Sequence, residues 1–543
     1  MNIQRKNTSF RVKESIPTAE LQQTPFLDFF HAVQPDSEYE KSVWELATIL
    51  FDQQDCEAYG IPKHQSERHG SRLRKERFIT FWQNHCRGDA EQSAIKSADA
   101  EKAVALLSAN EKVEACEALA QGKNYRLATL VAQIGGNAEV QGEIASQIQA
   151  WRDLNVLSEM SEPIRAIYSL LAGETCICEG KRAQHVEDKA STFPISKRFD
   201  LDWKRAFGLK LYYAIKTDDP LEEAVAAFAS DIKEREQAKP GEDVMYSLLQ
   251  LYAASKFSQP IPPLENILLP QKTAPSAMTA RLSFQLYFAL TSFFATSTNN
   301  AAADTATKLF AAQLDAAGEW LWALFALIHN NDAQDRQQQI QSLLSAHARD
   351  IHADPPHDSN STWRTLIEEF KIPEPWIWEA KALYARTRDC DRVREANYLV
   401  KAGHWLEAHN VLKRVVGPEC VVAEEWAQLQ GLIEAFKPGK TKIDDWSLGG
   451  QVYLDYLSIV MEYVKGKEEV KVLERLLEGL RTLIRDAEKQ GLQHGESEKE
   501  RFLQKVALQE MREVVGREIE ILKEKVSHIA LRERERERER VAY

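Results

Sequence analysis

No stretch of the 543 residues stays apolar over the roughly eighteen or more positions that a membrane-crossing helix needs. The opening MNIQRKNTSFRVKES has no apolar core of the kind a secretory leader carries. A cytosolic or nuclear protein is therefore predicted. Cysteine is scarce and odd in number: Cys56, Cys86, Cys116, Cys176, Cys178, Cys390 and Cys420 lie scattered. Such a set reads as free thiols, not as a disulfide framework. Positive charge is short as well. The net charge of −13 and the pI near 5.6 exclude a general electrostatic pull toward nucleic acid. Alternating strand patterns are nearly missing, and only Thr8–Lys13 reads as extended.

What remains is helix-forming sequence, with 44% apolar residues to bury. That is ample for a packed interior and argues against disorder. A chain this long is several domains or one elongated stack of helices. In 38–52 (EYEKSVWELATILFD), Val43, Trp44, Leu46, Ala47 and Leu50 recur at three- and four-residue spacing, one apolar face of a helix. Leu73, Phe78, Phe81 and Trp82 mark a second helix. From about residue 99 the pattern is helix, short break, helix. Gly122 and Gly135–Gly136 stand where a left-handed residue ends a helix. Ser161 reads as an N-cap before Glu162 and Pro163. Residues 173–199 read as a loop, after which Asp200 or Asp202 opens WKRAFGLKLYYAI.

Further helices are predicted near 220–235, 243–257, 279–293, 302–330 and 334–350, with a linker after them at 353–362 (ADPPHDSNST). In NYLVKAGHWLEAHNVLKRVVGPE a helix should end near Gly403, Trp405 should anchor the next, and Ala408 should allow close approach. ALAQGKNYRLATLVAQIGG is a loose echo without a strict period. These patterns imply antiparallel helix pairs stacked side by side. Near the C-terminus Val470, Leu473, Leu477, Leu480 and Ile484 form one amphipathic stripe. Leu503, Val506, Met511, Val515, Ile519, Leu522, Val526 and Ile529 form another, ahead of the charged tract RERERERER (532–540).

Catalytic and metal-binding patterns are thin. KPGKT (437–441) ends like a phosphate loop, but Glu434 occupies the position of the loop's first glycine, so a turn is predicted. Cys176 and Cys178 with His185 supply part of a zinc set and lack a second pair. His404 and His409, five apart, do not share a helix face, and His352 and His357 flank a Pro-Pro linker. GxSxG and GxGxxG are absent. The basic run KHQSERHGSRLRKER (63–77) lacks interleaved aromatics and reads as a solvated loop and helix start. Trp44, Trp82, Trp203 and Trp405 sit at helix-periodic positions and read as core anchors. No catalytic residue, cofactor or metal ligand is assigned, and an enzyme is not expected.

Several stretches together resemble a known family. YEKSVWELATILFDQ with RLRKERFITFW is similar to the opening of a helical scaffold nucleoporin. EACEALAQGKNYRLATLVAQIGG, WRDLNVLSEM and IRAIYSLLAGE resemble its hairpin region, and LDWKRAFGLKLYY and PWIWEAKALYARTRD resemble later landmarks. The likeness covers roughly residues 36–430. It points to the helical products released from the C-terminal side of autoproteolytic nucleoporin precursors. These belong to the ancestral coatomer element family, which COPII coat scaffolds share.

The resemblance implies an all-α fold, an elongated irregular α-solenoid folded back on itself in a J shape. It implies an N-terminal extension (1–35), first trunk helices (36–82), a crown (83–200), a return trunk (201–360) and a tail (361–543). It further implies a structural scaffold subunit of the Y-shaped nuclear pore coat, supporting mRNA export and protein import; a COPII-type vesicle coat is the alternative. The implied partners are a neighbouring helical nucleoporin met crown to crown, other Y-complex nucleoporins met by the tail at the hub, and an open β-propeller completed by an N-terminal blade. Before Glu38 only Thr8–Lys13 reads as a strand. Either the blade lies upstream, or its strands escape the pattern. Direct nucleic-acid binding and membrane insertion are not expected. Phe-Gly repeats are absent, Phe207–Gly208 being the single pair. Within the crown, Leu107, Val113, Leu119, Leu127 and Val131 are expected to form the interface.

Overall fold

Apolar residues at helical spacing must be buried on a neighbour, and the chain meets that need with helix packed on helix. The structure is a computed structural model that describes residues 1–33, 37–54, 62, 66–135, 138–183, 185–216, 218–234, 238–241, 243–264, 267, 280–295, 301–351, 362–461, 467–489 and 498–541. It is all-α, with two small strand pairs among the described residues. The 353–362 linker up to Ser361, His352, His357 and Cys56 lie outside the described residues, as do the side chains of the 532–540 tract.

The chain divides into two compact units, Met1–Ser9 with Leu21–Phe310, and Phe10–Glu20 with Ala311–Tyr543. At the N-terminus α1 (Asn2–Lys6) leads into β1 (Thr8–Lys13) and β2 (Ile16–Leu21), which pair as a hairpin. Glu14 and Ser15 at its tip both take left-handed backbone, φ 52° and 66°, the geometry of a tight two-residue turn. The extended reading of Thr8–Lys13 is correct, and Ile16–Leu21 is a strand the alternation did not reveal. Its Pro17 and Ala19 blur the pattern.

In the first unit come α2 (Phe26–His31), α3 (Glu38–Phe51) and the long α4 (Ser66–Ile95). Val43, Trp44, Leu46, Ala47 and Leu50 of α3 are all buried, and so are Phe78 and Trp82 of α4. Phe29 stacks on Trp44 with centroids 4.7 Å apart, and Phe78 stacks on Trp82 at 5.2 Å. Aromatic pairs of this kind add about 0.5–1.5 kcal/mol beyond burial. Trp82 also donates through Nε1 to Lys204 O at 3.0 Å.

The helices α5 (Asp99–Leu107), α6 (Lys112–Gln121), α7 (Tyr125–Val131), α8 (Ala138–Asp153) and α9 (Glu162–Leu171) continue the chain with short breaks. Gly135 ends its turn left-handed at φ 109°, as the sequence predicts. Gly122 does not: its φ is −75°, and Lys123 takes the left-handed position instead, φ 60°. Gly122 packs closely on the start of α5, since a Cβ there would lie 3.0 Å from Asp99 Cβ. Ser161 holds the N-cap position of α9 without a side-chain cap bond.

The 173–199 segment is more ordered than a loop. β3 (Ile177–Cys178) pairs antiparallel with β4 (Phe193–Pro194), Ile177 opposite Pro194 and Cys178 opposite Phe193. A four-residue helix α10 (Ile195–Arg198) comes next, then Asp202 caps α11 (Trp203–Leu209) by accepting from Arg205 N at 2.9 Å. α11 runs into a π-helical turn, Lys210–Ala214. Among the described residues of the second unit, three more such turns occur, at Thr365–Glu369, Ala385–Asp389 and Leu412–Val416.

α12 (Leu221–Glu234), α13 (Val244–Lys256) and the helix Ala280–Phe294 match the predicted ranges closely. The predicted helix 302–330 is two helices, Ala301–Ala316 and Trp320–Ile328. Gly318 breaks it in left-handed backbone, φ 82°.

In the second unit helices again stack in pairs. Glu374–Tyr384 packs on Ala333–Ala346 and on Arg392–Ala402, and Gly417–Val422 and Lys467–Lys489 both pack on the 44-residue Glu498–Val541. Gly403 ends its helix left-handed at φ 84°, and Ala408 is fully buried, as expected. In Lys467–Lys489 the buried stripe is Leu473, Leu476, Leu480 and Leu483, with Leu477 and Ile484 at its edge and Val470 exposed. In the last helix Ala507, Leu508, Met511 and Val515 are buried, and Ile519 and Leu522 flank them. The side chains of Val526 and Ile529 lie outside the described residues.

Candidate interaction surface

The five residues predicted to form an interface sit on α5, α6 and α7, and the helices divide them. Leu107, Leu119 and Val131 are fully buried, and Leu127 nearly so. They hold the helices to one another. Val113 alone points outward and is 68% exposed. Sequence reasoning missed other apolar exposure nearby in the chain: Tyr125 at the start of α7 is 66% exposed and Ile95 at the end of α4 is 84% exposed. The missed signal is positional. Both stand at helix ends, where an apolar residue need not face the core.

The turn before α6 is fixed by charge. Glu111, mostly buried, accepts from Arg87 Nε at 2.5 Å, and Lys112 donates to Ile134 O at 2.9 Å. Burial lowers the Lys112 ammonium pKa. Asn110 takes left-handed backbone, φ 60°. Cys116 Sγ bonds Ala128 O at 3.3 Å and so ties α6 to α7. Val113 is thus an apolar side chain presented from a rigid turn.

In its described part the 63–77 basic run is the start of α4, with Ser71, Arg72 and Glu76 exposed as a solvated face, while Arg74, Lys75 and Arg77 turn inward. Arg74 donates to Ile49 O at 3.0 Å and Asp52 O at 3.1 Å, where the carbonyls at the end of α3 need donors. Lys75, 6% exposed, donates to Lys216 O at 2.6 Å and Asp219 O at 2.7 Å, and Arg77 to Gln54 Oε1 at 2.7 Å. Burial lowers the Lys75 pKa against the opposing pull of Asp219, Asp218 and Glu223.

The other flagged groups also serve packing. Cys176 and Cys178 are buried; Cys178 Sγ accepts from Ser169 Oγ at 3.4 Å, and Arg165, buried over the Phe193 ring, bonds Ser191 O. His404 pairs with Glu379. His409 is buried elsewhere: its Nε2 accepts from Gly450 N at 2.9 Å and its Nδ1 lies 3.3 Å from Asp445. Burial lowers its pKa, with Asp445 opposing. KPGKT is a turn after the helix Trp426–Ala435. Among the described residues, no three His, Cys, Asp or Glu side chains are placed to share a metal ion, and no helix is long and apolar enough to cross a membrane. Trp44, Trp82 and Trp203 are buried core anchors, and Trp405 is half-buried.

Stacked helix pairs with buried polar groups spent on helix ends, and apolar side chains presented at turns, define a helical-stack protein of the α-solenoid class. The family model Nup96, described as Nuclear protein 96, matches residues 101–384. The chain is 32% identical over 441 residues to nucleoporin NUP145 of Chaetomium thermophilum, covering 81% of this chain and 22% of that protein. It is 30% identical to nucleoporin nup189 of Schizosaccharomyces pombe, covering 80% of this chain and 25% of the relative. It is 24% identical to the nuclear pore complex protein Nup98-Nup96 of Drosophila melanogaster, covering 78% of this chain and 22% of the relative. The chain therefore spans about a quarter or less of the length of these relatives. It belongs to the Nup96 family of nucleoporins, and its place is the nuclear pore complex of the nuclear envelope.

Proposed function

We propose that this chain is a structural scaffold subunit of the Y-shaped nuclear pore coat, working by helical contact and not by catalysis. In this reading it supports mRNA export and protein import by holding the coat together. Residues 83–200 form a crown that meets a neighbouring helical nucleoporin. Residues 361–543 form a tail that joins other nucleoporins at the hub, and 36–82 and 201–360 form the trunk between. The β1–β2 hairpin is the part that would reach an open β-propeller.

The observation that carries this reading is Val113. It is a 68% exposed valine on a helix turn whose other apolar residues are core, and it lies inside the 101–384 span matched by the family. A nucleoporin-to-nucleoporin contact at this turn would remove it from water. An interface of this kind buries on the order of 1,000 Å² or more.

The test uses the full chain, fluorescently tagged and expressed in cells. Rim staining of the nuclear envelope, with nucleoporins co-purifying in fixed stoichiometry, is the expected result. Cytoplasmic puncta that co-localise with vesicle coats would transfer the scaffold to a COPII-type coat. Diffuse staining with no stable partner would end the scaffold reading.

A further inference from the structure

Tyr212 and Asn110 line one cleft of about 180 Å³ in the first unit, together with Lys75, Lys112 and Gly135. The π-helical turn Lys210–Ala214 delivers Tyr212 to it, and such turns recur at functional sites. Tyr212 is 8% exposed, and its buried hydroxyl finds no hydrogen-bond partner among the described residues; neither does the buried Oδ1 of Asn110. Native folds rarely leave such groups unpaired, because nothing offsets the lost contact with water. An unpaired donor and an unpaired acceptor on the residues of one cleft point to a ligand that carries both. The cleft is smaller than the roughly 300–1,000 Å³ of sites for drug-sized molecules, so the ligand is small.

Charge decides the ligand's sign. The Lys112 ammonium has three donors, one of them engaged with Ile134 O at 2.9 Å, and among the described residues no carboxylate pairs with it. Lys112 also opens α6, so a cation stands at the positive end of that helix, where no side chain makes a cap bond. A Cβ on Gly135 would lie 3.2 Å from Lys112 Nζ and 3.8 Å from the Tyr212 carbonyl oxygen. The bare backbone of Gly135 therefore leaves room beside the ammonium. Nearby carboxylates are engaged with other cations, Glu111 with Arg87 and Glu76 with Arg72. Among the described lining residues, Arg72, Lys75 and Lys112 outnumber the one carboxylate, Glu76. Burial holds the Tyr212 pKa well above its ordinary value, with Cys86, Tyr213 and Glu111 pushing the same way, so the hydroxyl keeps its proton to donate.

We propose that this cleft is a binding site for inorganic phosphate. Lys112 supplies the charge, the Tyr212 hydroxyl donates to a phosphate oxygen, and Asn110 Oδ1 accepts the proton that phosphate keeps at neutral pH. That last contact sets the choice of anion. Sulfate keeps no proton, and a phosphate monoester has lost most of its own at pH 7. The site does not depend on the scaffold role.

The experiment titrates the full chain at pH 7 with sodium phosphate by isothermal calorimetry, against sodium chloride of matched ionic strength. Thermal unfolding is followed alongside, since an ion that binds the folded chain raises its melting temperature. One saturable site per chain is expected, with a melting temperature that climbs with phosphate. Tyr212→Phe should weaken phosphate binding about tenfold, the loss of one hydrogen bond to a charged group. Without phosphate the same variant should be at least as stable as the parent, because it removes an unpaired hydroxyl. Lys112→Met should weaken binding at least tenfold as well. It also removes the bond to Ile134 O, so Tyr212→Phe is the deciding variant. Sulfate and glycerol 3-phosphate should bind more weakly than phosphate, and either binding as tightly would overturn inorganic phosphate as the ligand. No saturable heat beyond the chloride control would overturn the site, as would phosphate binding that Tyr212→Phe leaves unchanged.

Discussion

The indole of Trp405 lies against the bare backbone of Gly439: a Cβ built on Gly439 would sit 2.1 Å from Trp405 Cδ2 and 2.2 Å from Cε3. This contact explains both a tryptophan that anchors a helix and a glycine in the segment that imitates a phosphate loop. The glycine is there to admit the ring, not a phosphate.

Gly439→Ala should therefore act as overpacking. A loss of about 1–3 kcal/mol is expected, because the ring must leave its place. Trp405→Ala should itself destabilise the second unit, and the double variant should lose less than the two singles summed, since the clash disappears with the ring. Urea unfolding of the three variants measures this. Additive losses would mean that the two residues do not share one contact.

Lys75 carries a second prediction. Its ammonium donates to backbone carbonyls that include Lys216 O and Asp219 O. Lys75→Met keeps the stem and removes the donors, so stability should fall by about 1–3 kcal/mol. Thermal unfolding checks it. A variant as stable as the parent would show that those carbonyls find other donors at no cost.

Acid should weaken the second unit through His329. The ring is buried, bonds Phe325 O through Nδ1 at 2.9 Å and meets the Phe325 ring edge-on. Burial pushes its pKa from 6.5 down to about 4, against the carbonyl bond. The unfolded chain therefore takes a proton near pH 6.5 that the folded chain refuses. The stability is complete above that pH and is lost progressively as the pH falls toward about 4, amounting to about 3 kcal/mol in full. His329→Leu should flatten the fall in melting temperature between about pH 7 and 4.5. An unchanged slope would assign the acid loss to other groups, with the buried His409 the next to test.

Periodicity shows most of the helices because burial on one face leaves a repeat in the sequence. Val43, Trp44, Leu46, Ala47 and Leu50 are legible for that reason. Three kinds of feature leave no such repeat. Gly318 splits one apolar run into two helices, and hydrophobicity alone passes over a single left-handed residue. Ile16–Leu21 alternates too weakly to announce a strand. The basic run misleads because a sequence gives charge without direction: Arg74, Lys75 and Arg77 turn inward to carbonyls contributed by residues up to 144 positions away. The interface residues are hardest. The same valine and leucine types serve core and surface, and only the three-dimensional arrangement separates Val113 from Leu107, Leu119, Leu127 and Val131.

That separation gives the last prediction. Leu127 is 4% exposed, so Leu127→Glu buries an unpaired carboxylate in the α6–α7 pair and should unfold the region, whatever its partner. It cannot report on binding alone. Val113→Glu places the same charge in water and should leave the circular dichroism spectrum unchanged and the stability within about 0.5 kcal/mol of the parent. If the α6 turn is the seat of the helical nucleoporin partner, the charge must be desolvated on binding. The affinity should then fall by about 2 kcal/mol or more, some thirtyfold, when measured against the purified partner by calorimetry. Val113→Ala should lose far less, because it removes area without adding charge. A folded Val113→Glu that binds as tightly as the parent would move the contact away from this turn, and Tyr125 and Ile95 would be the next residues to change.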